Sequence, residues 1–216
     1  MFEAKNMVGL FPSPVWISKL APADWEALNA AIIPKIDALA AADPAFDADG
    51  SWQSPNNLQE FEEFAPLNRY AEAAAAEALA AMNTVERELV VTGCWANVKA
   101  AGVRGHQQHT HPNNYLSGVY YAKVQPGGDQ ILFHDPRFQN KVILPRVETR
   151  NALNSRSATL TVEPGTIVLF PAWLTHSVPS NQSVERRISV SFNLMFTDFT
   201  ESHSRPRWKG GGQSDE

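Results

Sequence analysis

At 216 residues, with 44% hydrophobic and 19% charged side chains, the chain can bury one good core, and a single domain is the expectation. A formal net charge of −5 disfavours nucleic acid as a partner, because such binding rests on neutralised phosphates. The one cysteine, Cys94, excludes an internal disulfide and a cysteine metal cage, and no apolar run reaches the roughly 18 residues of a membrane span.

The N-terminal "MFEAKNMVGLFPSPVWISKL" has no basic start leading into an unbroken apolar stretch, since Pro12 and Pro14 interrupt it. A cytoplasmic protein is therefore expected. From Ala23, "ADWEALNAAIIPKIDALAAAD" spaces Trp25, Leu28, Ile32, Ile36 and Leu39 as on one helix face, and Pro34 predicts a kink or a split into two short helices. "DADGSWQSPNNLQ" reads as loop. "LNRYAEAAAAEALAAMN" is a clearer helix, rich in alanine and free of glycine.

After about Arg87 the texture changes to short β-branched and aromatic runs: "LVVTGCWANVKA", "LSGVYYAKV", "QILFHDP", "SATLTVEPGTIVLFPAW" and "RRISVSFNLMF". Pro-Gly, Gly-Gly and Asn-rich turns separate them, the pattern of an antiparallel barrel or sandwich. The expectation is a mainly β, α+β chain: one domain over 1–204, helical over about 20–85 and β over about 88–200. The glycine-rich tail, 205–216, should be disordered. Cys94 reads as a buried, inert thiol, and Trp95 and Trp173 as packing residues.

Chemistry concentrates in "HQQHTHPNNYLSGVYY", residues 106–121. His109 and His111 are two apart, so an extended backbone points both imidazoles to one side, and the same parity carries on to Ser117, Val119 and Tyr121. Alone, this pair is as compatible with a polar turn as with a metal site. His176 follows a strand that Pro171 ends. Beyond it, "RISVSFN" sets Arg187, Ser189, Ser191 and Asn193 on one face and Ile188, Val190, Phe192 and Leu194 on the other. The polar face could meet solvent or line a hydrophilic pocket, where the Arg187 fork and the Ser189 hydroxyl suit a carboxylate.

The order H-x-H, strand, Gly-rich turn, "LFPAWLTH", then R-x-S eleven residues after His176 (187 − 176 = 11) resembles the 2-oxoglutarate and iron(II)-dependent oxygenases. It is most similar to a bacterial and phage group that shares "FPSPVW", "WQS", "HxHP…LSGVYY", "DPR" and "RISVSFN", from about Leu10 to Phe196. The resemblance implies a double-stranded β-helix, or jelly-roll, with the N-terminal helices packed on one sheet. It implies Fe(II) on His109 and His176, and 2-oxoglutarate with its far carboxylate on Arg187 and Ser189. Tyr121 would share that carboxylate, with Asn97 and Asn193 as looser candidates for the pocket wall.

The usual carboxylate ligand is missing, because His111 stands two residues after His109. Either His111 is the third ligand, or Asp129 or Asp135 reaches in from the next turn, or two histidines and water hold the iron. Local geometry favours His111. His106 and His134 would sit behind the ligands or at the surface, and Asp135 could do no more than cap a turn, with Arg137 pairing to it or to an anionic substrate. Ligation needs neutral imidazoles, so metal binding should weaken as pH falls through about 6.5.

The expected function is hydroxylation of a small-molecule or peptide substrate. One alternative is a cupin-like three-histidine dioxygenase or isomerase that uses no 2-oxoglutarate; another is an inactive jelly-roll binding protein. Barrel edges and the early helices offer surfaces for a homodimer.

Overall fold

The computed structural model describes residues 3–43, 50–85, 88–137, 139, 142–143 and 145–198. The expected disordered tail, 205–216, lies outside the described residues. In chain order the elements are β1 (Trp16–Lys19), α1 (Pro22–Ala42), β2 (Ser51–Gln53), α2 (Ala65–Ala81), β3 (Leu89–Lys99), β4 (His106–His109), β5 (Leu116–Lys123), β6 (Gln130–His134), β7 (Ser157–Thr161), β8 (Thr166–Pro171), β9 (His176–Val178) and β10 (Arg187–Phe196). They form two antiparallel sheets, a six-stranded one ordered β1-β8-β5-β10-β3-β2 and a four-stranded one ordered β4-β9-β6-β7. This is the jelly-roll that the family resemblance implies, and it agrees with the antiparallel barrel or sandwich expected from the run of short strands.

Both helices share a core with the six-stranded sheet. Each central strand of that sheet therefore has two buried faces. Tyr120, Ala122, Ile188, Val190, Phe192 and Leu194 pack with α1 and α2, whereas Val119 and Tyr121 join Ile131, Phe133, Val168 and Phe170 in a second core. That is why "LSGVYYA" reads as nearly continuous apolar sequence rather than as an alternation. Helix α2 buries Ala71, Ala75 and Ala78, whose small side chains let its backbone come close to the sheet. One polar tie crosses the helix interface: Tyr120 Oη donates to Asn29 Oδ1, and Asn29 Nδ2 donates to the Ala122 carbonyl, both at 2.8 Å.

Two local expectations need correction. Helix α1 runs unbroken for 21 residues with Pro34 inside it. Pro34 and Ala30 are both exposed, so the carbonyl that loses its helical donor can turn to water. The "WQS" stretch is strand rather than loop, because β2 pairs with β3 and buries Ser51 and Trp52. The "VW" of the N-terminal stretch runs into a further strand, β1, which pairs with β8 at the sheet edge. Cys94 is fully buried and its thiol is pushed up to about 12 by burial, as an inert core cysteine should be. Among the described residues, no helix is long and apolar enough to cross a membrane.

Candidate metal centre and carboxylate pocket

A cavity of about 540 Å³ opens between the sheets. The four-stranded sheet supplies His106 and His109 from β4 and His176 from β9. The six-stranded sheet supplies Trp95 and Asn97 from β3, Tyr121 from β5, and Arg187, Ser189 and Ser191 from β10.

Strand β4 is irregular. Its register against β9 pairs His109 with His176 but His106 with Val178, so three steps on β4 match two on β9. In a flat strand His106 and His109 would point to opposite faces. The extra residue of the bulge turns both toward the cavity, where their rings lie 6.1 Å apart. After His109 the strand ends; the His111 N–H donates to the Ala172 carbonyl at 2.9 Å, and the chain then turns at Asn113, in the left-handed region at φ 67°. Strand β5 begins beyond that turn and belongs to the other sheet. Val119 and Tyr121 do line the cavity with the histidines, but the single continuous strand expected from parity does not exist. They face it because odd positions of β5 point between the sheets.

The three histidines converge. One ligand-capable nitrogen from each of His109, His111 and His176 lies within 4.8 Å of the others. His109 Nδ1 lies 2.7 Å from the Gln107 carbonyl, and His176 Nδ1 lies 2.9 Å from the Leu174 carbonyl. Carbonyls only accept, so each Nδ1 carries the proton and each Nε2 keeps a free lone pair. His176 Nε2 faces His111 Nε2 at 3.3 Å, with the two rings nearly parallel. Trp95 also stacks on His111, with ring centroids 5.7 Å apart. This arrangement can hold a divalent metal.

No carboxylate belongs to the cluster among the described residues. Asp135 is held by Arg137, whose Nε and Nη2 donate to it at 2.9 and 2.7 Å. Asp129 accepts the Gly127 N–H and closes a turn. Asn193 accepts a bond from Ser117 at 2.7 Å and is not among the cavity-lining residues.

The far end of the cavity is built differently. Arg187 is 5% exposed, forms no ion pair among the described residues, and leaves its Nε without a hydrogen-bond partner. Its guanidinium lies over the Tyr121 ring, 5.4 Å from the centroid. Tyr121 Oη and Asn97 Oδ1 are likewise buried without partners, although Asn97 Nδ2 donates to Ser191 Oγ at 3.2 Å. Burial pushes the Tyr121 hydroxyl up to about 12 against the pull of the Arg187 charge, so it remains a donor. Two orphaned donors, Arg187 Nε and Tyr121 Oη, make a cradle for an anion, while Asn97 Oδ1 beside them can only accept.

Trp95, Gln53, His106, Gln107 and Gln108 also line the cavity and were not legible as site residues. Gln53 lies in the "WQS" segment read as loop. The register Gln53↔Asn97 brings it to the mouth. Trp173, expected to pack, is 55% exposed in the connection between β8 and β9.

Burial lowers His106, His111 and His176 from 6.5 to about 4. Neighbouring cationic groups add to this, and the Leu174 carbonyl works against it at His176. These three rings are thus neutral well below the ordinary histidine range. The sign for folding follows. Between about 6.5 and 4 the unfolded chain takes up protons that the folded chain refuses, so stability must fall as pH drops through that window. Urea midpoints of metal-free protein should accordingly decline from pH 7 to pH 5. A flat profile would contradict the buried, neutral rings.

Residues 93–193 match the family model described as "Putative 2OG-Fe(II) oxygenase". No curated protein sequence matches the chain significantly. Among solved structures, the chain is similar to the non-heme alpha ketoglutarate dependent carbocyclase SnoK from nogalamycin biosynthesis, at 13% identity and TM-score 0.63 over 93% of this chain and 90% of that one. It is similar to AviO1 from Streptomyces viridochromogenes Tue57, at 15% identity and TM-score 0.60 over 86% and 90%. HygX from Streptomyces hygroscopicus, solved with nickel and 2-oxoglutarate bound, matches at 13% identity and TM-score 0.54 over 86% and 83%. At these identities the likeness is one of fold. The fold is the jelly-roll of those structures, and the stretch that is similar to the 2OG-Fe(II) oxygenase family model, residues 93–193, spans all three histidines and Arg187.

Proposed function

We propose that the protein is a 2-oxoglutarate-dependent hydroxylase whose Fe(II) is held by His109, His111 and His176. The observation that carries this reading is Arg187: a buried cation with no carboxylate paired to it, in the same cavity as three converging imidazoles. Leaving such a charge unpaired is costly, and a dianionic co-substrate would offset that cost. In this reading Arg187 and Ser189 hold the far carboxylate, and Tyr121 Oη donates to it. Asn97 borders it, while Val119, Ile131 and Phe170 give the cavity an apolar lining. When bound, iron and 2-oxoglutarate supply the oxidising chemistry, in which oxygen is consumed, 2-oxoglutarate is decarboxylated to succinate, and a C–H bond of a second, small-molecule or peptide substrate is hydroxylated. The likeness to a protein solved with nickel and 2-oxoglutarate supports the same pairing of groups. A three-histidine enzyme that uses no 2-oxoglutarate has no need of a buried Arg187, and that residue disfavours it.

Three neutral ligands leave the metal's charge uncompensated until 2-oxoglutarate arrives. Each should therefore tighten the other's binding by the same factor, on the order of 5- to 150-fold. Anaerobic calorimetry of Mn(II) binding with and without 2-oxoglutarate measures this directly. Equal affinities in the two titrations would count against the reading.

A further inference from the structure

We infer that His134 is a positioning residue that sets the spacing of His109 and His176 from the outer face of the four-stranded sheet. The inference rests on the reading that these histidines ligate metal. Strand β6 runs beside β9, and Phe133 points inward to the second core. His134, the next residue, therefore points outward, away from the cavity. From there it grips the two strands that carry the ligands. Its backbone N–H donates to the Thr175 carbonyl at 2.8 Å, and its Nε2 lies 2.8 Å from Ser177 Oγ, so it brackets His176 on both sides. Its Nδ1 lies 3.2 Å from Gln108 Nε2, next to His109. An amide nitrogen can only donate, so Nδ1 accepts from Gln108 and the Nε2–H donates to Ser177.

The main chain ties the segment down beyond both ends of β4, through the Asn181 N–H to the Val103 carbonyl and the His111 N–H to the Ala172 carbonyl, but the ladder between the two strands is short. Strand β4 is the edge of its sheet, and across the bulge only two residue pairs, His106–Val178 and His109–His176, tie it to β9. The imidazole of His134 spans that irregular stretch with one bond to each strand. On the opposite face the His109 and His176 ring centroids are 4.3 Å apart. Losing the tie frees the edge strand to shift, and a small displacement there changes the angle at which the two nitrogens meet.

Cobalt(II) is a suitable probe, because its visible absorption reports ligand geometry as well as occupancy. His134→Leu keeps bulk but removes both bonds. It should raise the Co(II) dissociation constant by about 10-fold, the lower end of what supporting partners of metal ligands contribute, and should move the absorption band. His134→Gln offers one acceptor and one donor and should restore affinity to within about threefold and the band to its wild-type position. A purely structural role would lower the melting temperature of His134→Leu and leave the spectrum of the folded fraction unchanged. If His134→Leu does not fold, Ser177→Ala removes one arm of the clamp and should produce the same band shift. Wild-type affinity and spectrum in the folded variants would overturn the positioning role alone. Failure of the wild-type protein to bind Co(II) would overturn the metal reading and the clamp together.

Discussion

His176→Ala is expected to lose stoichiometric metal, with a dissociation constant raised at least about 100-fold. Even partners that only support a metal ligand are worth roughly 10- to 100-fold, and His176 is a proposed ligand. Its geometry argues for the large effect. It is 3% exposed, its Nδ1 proton is committed to the Leu174 carbonyl, and its Nε2 faces His111 at 3.3 Å. Elemental analysis after gel filtration, with circular dichroism as a check on folding, would measure this. Full metal content in a folded variant would sink the assignment. The His111 series refines it. His111→Ala should lose most of the metal, whereas His111→Asp restores an anionic ligand and should retain it. If Asp135→Ala instead releases metal while His111→Ala keeps it, the third ligand is the carboxylate, which would first have to leave Arg137.

Arg187→Met should move two quantities in opposite directions. Truncating one partner of a buried charged hydrogen bond costs about 2 to 5 kcal/mol, so 2-oxoglutarate binding should weaken by about 30-fold or more. The ligand-free protein, by contrast, should be as stable as the wild type or more so. Arg187 there is a buried cation with an unsatisfied Nε and no ion pair among the described residues, and methionine fills similar space without charge. Thermal melts should then cross. Without 2-oxoglutarate the variant melts at or above the wild type, and with it only the wild type gains. A variant that loses stability equally in both conditions would show Arg187 to be a packing residue.

Much of the site could be read from spacing because the residues concerned obey simple periodicities. Strand β10 alternates from Arg187 to Phe192, so spacing alone puts Arg187, Ser189 and Ser191 on one face and Ile188, Val190 and Phe192 on the other. His106 escaped the same reasoning because a bulge inverts its side, and bulges leave no reliable mark on sequence. His109 and Tyr121 were correctly placed facing one space, but by an argument along one strand when two sheets are involved. Gln53 and Trp52 were hidden in a segment whose Pro, Asn and Ser content signals loop. Three residues of it are strand only because β3 offers a long free edge for them to pair with. Pro34 does not split its helix, since a solvent-facing proline costs a helix far less than a buried one.

The helices cover only the six-stranded sheet, and this makes the two walls of the cavity unequal in stiffness. Arg187 and Ser189 sit on β10, ten residues long, paired on both sides and backed by α1 and α2. His109 sits on a four-residue edge strand interrupted by a bulge. In hydrogen exchange, amides of β10 and β3 should open only with global unfolding, and those of β4 through cheaper local motions. The Arg187 pocket is thus a fixed anvil, while the histidine wall can yield and reseat.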